Sequence, residues 1–526
     1  AVSMIKLGSM QQQQHHHRQL RRLVPITLIL IICYQDCHAL ASSPKQIISR
    51  RNDGRSKSFS FDEPNSNKRV GSDSEVKFRL RQVGRDLVRP SIALGHIQSA
   101  VRSTFLPSIP SSSSNNILRN SGYLQYILFD NIQDLCTSLR SVLATQRILE
   151  GVGVGRADAT ALSATLNFLI RDGCGMLASL LFTSYAASSF RRNVKRWKYF
   201  ADIMVDIGIT LEIVAPSVLS FPLLKGWFLP LICLANVCKA LCGVAAGACG
   251  GAFQLYWSMT LIGTQDGISE ISAKSGAQRT VMGGVGLIMA GLLAKGLGSG
   301  HVSRIVWIGL YCALTSIHLV ANWWSLRLVA LDWFNSWRLH CIVDQFLFSL
   351  DETNTNKKAP VVSSPMEVSR IEPLLFLPDL KRKKSCPIEM GVSFNRFARL
   401  SHHTSASLQE VLSRNQKQNY ILSVGHAGRK RVKQKRRVLV AFRPECSNKE
   451  VVMAYLHACI VGYELASTSK EQRNDVEEIE IVKEIEMRTE SKLTELFPLF
   501  EMSASNAGWN LDRTEISTQG YEICYE

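Results

Sequence analysis

A chain of 526 residues, 46% of them hydrophobic, is long enough to bury a large core and to hold two or three units. Its formal charge of +18 is unevenly spread: residues 1–119 carry about eighteen Lys/Arg against seven acids, so the basic balance belongs mainly to the amino-terminal tail. No pattern interleaves those charges with stacking aromatics, which argues against a nucleic-acid partner. Fourteen cysteines could suggest a disulfide framework. Half of them (Cys136, Cys174, Cys233, Cys238, Cys242, Cys249 and Cys312) fall within apolar helical stretches, with no CxxC and no Cys/His cluster. They read as small polarizable fillers between helices, and no metal site is expected.

The amino terminus, residues 1–41, has the layout of a targeting segment. Arg18, Arg21 and Arg22 precede an apolar run over 23–33, and Ala39-Leu40-Ala41 supplies small residues at the cleavage positions. The run is too short to span a bilayer. Secretory entry, and hence an endomembrane location, is the expectation. The alternatives are a presequence for a plastid or other organelle, which Asp36, Asp53, Asp62 and Glu63 weaken, and an unprocessed tail. Residues 42–118 read as a disordered, basic, Ser-rich linker, because Pro107, Pro110 and the serines at 111–114 interrupt any helix. His15 to His17 beside four glutamines are low complexity and are given no metal role.

Residues 119–340 form the apolar middle. A helix is predicted over 123–149, where Leu124, Ile127, Leu128, Leu135, Leu139, Val142 and Leu143 recur at three- and four-residue steps. Gly151-Val152-Gly153-Val154-Gly155 then reads as a helix stop; no strand precedes it and no Gly-Lys-Ser/Thr follows, as a phosphate loop would need. Further helices are predicted over about 158–187, 195–214, 227–258, 280–297 and 303–337, with no alternating strand among them. Gly243, Gly247 and Gly250, then Gly283, Gly284, Gly286 and Gly291, have the small-residue spacing that lets helices approach closely. Segments near 227–250 and 303–324 are long enough to cross a bilayer, although Lys239 and the pair His318 and Asn322 interrupt them. A soluble bundle with buried helices is the alternative. If the helices span, Arg191, Arg192, Lys195, Arg196 and Lys198 belong on the cytosolic side.

Single charges inside apolar helices need partners. Arg171 and Asp172 are adjacent and point about 100° apart on a helix, so each is expected to look to another helix. Asp202 and Asp206 share a face, which is repulsive unless a cation meets them; Lys198, four residues before Asp202, can serve one. Arg171 is expected to meet that face across a helix interface, either as a structural pair or as part of a ligand or ion site. His318 reads as a packed histidine on one face with Asn322. Lys274 is a formal Schiff-base candidate, but it sits in a polar segment with no phosphate cradle.

Several of these residues also fall in recognisable motifs. Phe129-Asp130-Asn131-Ile132-Gln133, the glycine run at 151–155 and Arg171-Asp172-Gly173-x-Gly175-Met176 come first. Lys195-x-Trp197, Ala201-Asp202, Asp206, Glu212 and Pro216 follow, then Ile271-Ser272-Ala273-Lys274-Ser275-Gly276-Ala277-Gln278, and His318 with Asn322. In this order they resemble the root UVB sensitive (RUS) family, and the 271–278 octet is the most specific of them. Arg370-Ile371-Glu372-Pro373, Ala454-Tyr455-Leu456-His457-Ala458 and Gly508-Trp509 extend the likeness to most of the chain, from about Phe105 to Ile516. One departure is that Leu106-Pro107 runs into serines and asparagines where the family usually has Gly-Tyr-Pro-x-Ser-Val. The resemblance implies a helical, membrane-associated protein with no agreed reaction. In plants it also implies links to UV-B responses in roots, seedling growth, auxin transport and vitamin B6 status. That last link, by resemblance alone, is the sole pointer to a cofactor.

Beyond the apolar middle, residues 341–418 read as a linker and connecting segment, with a solvated basic loop at Lys381 to Lys384. Residues 419–526 read as a small α+β module: strands over 420–424 and 437–442, then helices over 447–465 and 471–500. The basic connection over 429–437 is expected to meet the acidic helix bearing Glu477, Glu478, Glu480, Glu484 and Glu486, or a partner protein, ahead of anionic lipid or nucleic acid. The expected fold class is therefore mainly α: a multi-helix bundle, membrane-embedded or membrane-associated, followed by the α+β module. The expected function is a non-catalytic binding or scaffold protein whose partners are membrane lipids, another RUS-family protein or a small ligand. The alternative is a small-molecule transporter. Its charged site would draw on Arg171, Asp172, Lys195, Asp202, Asp206, Lys274, Gln278, His318 and Asn322. A third reading, an enzyme using Lys274 or His318, finds no catalytic constellation.

Overall fold

Prolines and glycines punctuate a run of long helices. The computed structural model describes residues 99–109, 114–153, 161–297, 304–356, 360–376, 387–400, 418–426, 436–467 and 475–516. The targeting segment 1–41, most of the linker 42–118, the end of the glycine run, Lys381 to Lys384 and the connection over 427–435 lie outside the described residues. A first unit, up to Leu124, contains the short helix α1 (Ser114–Asn120). The second unit, from Gln125 onward, carries everything that follows.

Its helical part comprises α2 (Tyr123–Gly151, beginning at the unit boundary), α3 (Ala161–Phe190), α4 (Val194–Val214), α5 (Phe228–Leu261), α6 (Ile268–Leu297) and α7 (Arg304–Leu328). Two 3-10 turns, Ala215–Ser220 and Pro222–Trp227, join α4 to α5, each with a proline near its start where a missing N–H costs nothing. Gly263 at φ +84° ends α5, its N–H reaching back to the Ser258 carbonyl at 3.1 Å. Segments Val194–Ser220, Pro222–Leu261 and Val306–Leu328 are long and apolar enough to cross a membrane, the first of them beyond the two the sequence suggested. Large apolar side chains face outward along this part of the fold, among them Leu169, Met176 and Leu180 on α3, Leu287 and Leu292 on α6, and Val306 and Val320 on α7.

Helices approach closely at Gly208, which the spacing did not point to, and at one of the seven predicted glycines, Gly286. A Cβ on Gly208 of α4 would stand 2.8 Å from the Ala235 carbonyl of α5, and one on Gly286 of α6 would stand 2.4 Å from Ser138 Cβ of α2. Around Gly243, Gly247, Gly250, Gly283, Gly284 and Gly291 a Cβ meets nothing within 4 Å, so six of the seven predicted contact glycines border open space. On α5 the packed face runs through Ile232, Ala235, Cys238, Ala245, Cys249 and Phe253, and the glycines lie to one side of it.

The predicted helix over 303–337 is interrupted. After α7 ends at Leu328, Trp333–Phe334 form β1, parallel to β5 (Asn510–Thr514). Two buried aromatics suit a strand, and the carbonyls of Asp332 and Phe334 accept the N–H groups of Asn510 and Glu515 at 3.0 and 2.7 Å. Asn335 then caps α8 (Ser336–Asn356), its side chain accepting the Arg338 N–H at 2.8 Å. A Ser364/Glu367 capping box with Pro365 at the first turn starts α9 (Pro365–Ile371).

A three-stranded sheet follows, in the order β2 (Ile388–Met390), β4 (Arg436–Phe442), β3 (Tyr420–His426), parallel then antiparallel, with Leu422 opposite Val440. Alternation sorts its two faces. Ile421, Leu439 and Ala441 pack on Phe397 of α10 (Phe394–Leu400). Leu422, Val424, Val438 and Val440 pack into the main core with α11 (Asn448–Ser467) and α12 (Asp475–Asn506). Val343 and Phe346 of α8, with Val362 and Val368, belong to that same core, so stretches of 341–418 are built into the module.

Candidate functional site

Polar residues recur on one stripe of α4, at Lys195, Lys198, Asp202, Asp206 and Thr210, and on one stripe of α7, at Tyr311, Thr315, His318, Asn322 and Ser325. The two helices run antiparallel, and the stripes meet rung by rung. The Thr210 and Tyr311 hydroxyls share a hydrogen bond of 2.7 Å. Asp206 Oδ2 accepts from His318 Nδ1 at 3.0 Å, which places the ring proton on Nδ1. Asp202 accepts from the Asn322 amide and from Lys198 Nζ, the latter at 2.5 Å.

A third helix closes the seam. Arg140 of α2, fully buried, places Nη1 2.6 Å from Asp206 Oδ1 and donates to Thr315 Oγ1 at 3.1 Å, while its Nε donates to the Cys136 carbonyl at 3.2 Å. Two turns earlier, Gln133 donates to Ser325 at 3.2 Å. From Lys195 to Thr210 the seam runs about 22 Å at 1.5 Å per helical residue. Its two carboxylates are matched by Arg140 and Lys198, the condition under which charges persist among apolar helices. Arg140 Nη2 and Asn322 Oδ1 remain buried without a hydrogen-bond partner among the described residues.

At the Lys195 end a second cluster joins the helices to the module. Glu372, just after α9, lies 3.2 Å from Lys195 Nζ and 3.0 Å from Arg338 Nη2, and accepts from Asn335 at 3.2 Å. All three ionic groups are at most 3% exposed. Burial alone would raise the Glu372 carboxyl, but the Arg338 and Lys195 cations outweigh it and hold it down to about 2. Ser369 Oγ accepts from Lys195 Nζ at 2.6 Å and lies within hydrogen-bonding distance of the Arg327 and Val329 carbonyls. Arg196 donates to the Pro373 carbonyl at 3.2 Å, and Arg191 reaches Glu515 at 2.9 Å.

The structure thus brings Asp202, Asp206, His318, Asn322 and Lys198 together, and puts Lys195 in the adjoining junction. It does not bring Arg171 to them. Arg171 curls back onto Asp172 at 2.8 Å and lies over the Phe168 ring, correcting both the expected cross-helix pair and the expectation that these neighbours cannot satisfy each other. A long guanidinium stem bends through the angle that separates adjacent Cβ atoms. The cation on Asp206 is Arg140, which the sequence reading passed over. Its signal was a lone arginine inside the apolar stripe of Cys136, Leu139 and Leu143. Lys274, half-buried, and Gln278, buried, stand one turn apart on α6, inside a helix that begins at Ile268, well before the predicted 280. Among the described residues no group of three or more His, Cys, Asp or Glu could hold a metal ion.

Comparison with known proteins matches residues 93–349 to the vitamin B6 photo-protection and homoeostasis domain, and residues 361–522 to the root UVB sensitive protein C-terminal domain. The chain belongs to the root UVB sensitive family. RUS family member 1 of Dictyostelium discoideum is 32% identical over 271 residues, 52% of this chain and 47% of that protein, so the match spans about half of its length. Protein root UVB sensitive 3 of Arabidopsis thaliana is 28% identical over 404 residues, 74% of this chain and 82% of that protein. Protein root UVB sensitive 2, chloroplastic, also from Arabidopsis thaliana, is 28% identical over 257 residues, 49% and 53% of the two chains. No solved structure matches. In this RUS-family chain the Glu372 junction joins the two matched domains, with Lys195 and Arg338 from the first and Ser369 and Glu372 from the second.

Proposed function

We propose that the protein is a membrane-embedded, non-catalytic binding or scaffold protein, its helical domain held in the bilayer and its α+β module docked on one end. The observation that carries this reading is the inversion of polarity in the helical domain. Leu180 and Met176 are about 70% exposed while Arg140, Asp206 and Asn322 are buried between helices. In water such an apolar exterior would be a large unfavourable patch; against lipid tails it is the stable face. Alkaline carbonate washing of cell membranes tests it. The protein should stay in the membrane pellet, and its release to the supernatant would refute embedding.

The partners consistent with this reading are membrane lipids, a second RUS-family protein and a small ligand, with a place in UV-B response or seedling development if the host is a plant. The signal-like amino terminus supports an endomembrane location. The relative named chloroplastic supports a plastid membrane instead, and a carboxy-terminal fluorescent fusion would separate the two. No cofactor is required. A transporter is the second reading, favoured by the unpartnered Arg140 Nη2 and Asn322 Oδ1 inside the charged seam. Solute uptake into proteoliposomes that Asp206→Asn abolishes would support it; uptake equal to protein-free vesicles would count against it.

A further inference from the structure

The end of the helical domain that meets the module carries more positive charge than its acids consume. Glu372 takes Lys195 and Arg338, Glu515 takes Arg191, and Asp202 takes Lys198. Arg192, Arg196, Arg327 and Arg370 remain, with no salt bridge to a carboxylate among the described residues; Glu367 acts on Arg370 and Glu372 on Arg327 only from beyond salt-bridge distance. Arg196 and Arg327 spend donors on the carbonyls of Pro373, Ser369 and Arg370, so two of the guanidiniums are drawn onto one short stretch, 369–373, that itself carries Arg370; Arg192 lies in the turn just before α4.

Aromatic rings stand beside these cations. Trp197 packs on Phe376 at 4.8 Å, Arg327 lies over Trp323 at 4.5 Å, and Tyr199 meets Trp323 at 5.9 Å. Trp324, Ile371, Leu375 and Phe376 are exposed. Along α7 the outward residues pass from Ile317 and Val320 through Trp323 and Trp324 to Arg327. Along antiparallel α4 and the turn before it the same order runs in reverse, from Arg191 and Arg192 through the half-buried Trp197 and Tyr199 to the exposed Ile207 and Val214. Two neighbouring helices therefore change from aliphatic to aromatic to cationic at one level, the profile of a bilayer from tails through interface to headgroups.

We propose that this arginine collar binds the anionic phosphate headgroups of one bilayer leaflet, with Ile371, Leu375 and Phe376 dipping into the interface beside it. The proposal rests on the membrane reading above and adds the lipid class and the leaflet: the module lies on the side rich in anionic lipid. Charge complementarity selects the occupant, since a zwitterionic headgroup leaves the guanidinium excess uncompensated.

The test uses the full chain purified in an uncharged detergent, with native mass spectrometry counting retained phosphatidylserine against phosphatidylcholine from an equimolar mixture. Phosphatidylserine should be retained preferentially, and 0.5 M NaCl should weaken that preference. The double variant Arg192→Gln/Arg370→Gln, folded by an unchanged thermal midpoint, should lose about 25-fold of the preference. Lys225→Gln, in the turn at the far end of α4, should keep it. Equal retention of the two lipids, or a double variant that behaves as wild type, overturns the proposal. So does displacement of the lipid by millimolar inorganic phosphate, which would mark a site for a soluble anion. A protein that survives the carbonate wash yet shows no lipid preference refutes the collar and leaves the membrane reading standing.

Discussion

Glu372→Gln removes the one anion that Lys195 and Arg338 share, leaving two cations buried at 1% and 3% exposure. Breaking a buried ion pair in this way costs about 3–5 kcal/mol, because the abandoned charge has no water to turn to. At roughly 2–4 °C per kcal/mol, the thermal midpoint should fall by roughly 6–20 °C. Hydrogen exchange should rise first over 365–376, where α9 and the segment after it lose their tie to α4. Replacing all three groups, as Lys195→Met/Glu372→Leu/Arg338→Met, should recover most of the loss, less about 1 kcal/mol for the Trp333 carbonyl that Arg338 now serves at 3.0 Å. Acid gives an independent reading. The folded carboxyl is held at about 2 against an ordinary 4.5, so its contribution is complete above pH 4.5 and is lost as the pH falls toward 2. Wild type should show that loss and Glu372→Gln should lack it. A single-variant loss under about 1 kcal/mol would refute the reasoning, since it would mean that water reaches the junction and screens the charges.

The seam makes a paired prediction: Arg140→Met strands Asp206 and should lower stability by about 3 kcal/mol or more, whereas Arg171→Met, which breaks a half-exposed pair with its own neighbour, should cost less than about 1 kcal/mol in the same melting assay. His457, between Tyr420 and Thr489 in the module, has its imidazole pushed down to about 4 by burial. The unfolded chain takes up a proton below pH 6.5 that the folded one refuses, so stability is full above 6.5 and falls by about 3 kcal/mol on the way to pH 4. His457→Gln should flatten that slope in a pH series of thermal midpoints. Gly208→Val should destabilise by about 1–3 kcal/mol, because its side chain meets the Ala235 carbonyl, while Gly243→Ala, facing open space, should be neutral or slightly stabilising; equal effects would contradict the packing of α4 on α5.

Much of the helical order was legible because each long helix repeats its apolar residues through several turns, so its existence survives uncertainty about its ends. Helix starts at 194 and 228 lie within a residue of the sequence expectation, and the strands at 420 and 436 lie equally close. Shorter elements were not legible. Trp333–Phe334 continue an apolar pattern that looks helical, and only pairing with Asn510–Thr514, almost two hundred residues away, makes them a strand. Ile388–Met390 has three residues and no periodicity to read. At the site, the shared faces of Asp202 with Asp206 and of His318 with Asn322 follow from helical spacing alone. Choosing between Arg140 and Arg171 as their cation does not, because spacing within one helix says nothing about which other helix lies beside it.

The arrangement of charge follows from what surrounds it. A partly exposed pair such as Arg171 and Asp172 can be satisfied locally, and its loss leaves groups that the surroundings can reach. Asp206 has no such recourse, so it is met by Arg140 from α2 and His318 from α7, and the three helices can pack in one register only if those side chains meet. Lys195 repeats the logic at the other end of α4, where Glu372 and Ser369 from the module complete it. A single helix thus holds both clusters on one stripe: its Asp206 stretch fixes the bundle and its Lys195 end fixes the module to the bundle. That division explains why apolar helices tolerate the charges that interrupt them. Each charge selects one neighbour, and the apolar surface that remains is free to face outward.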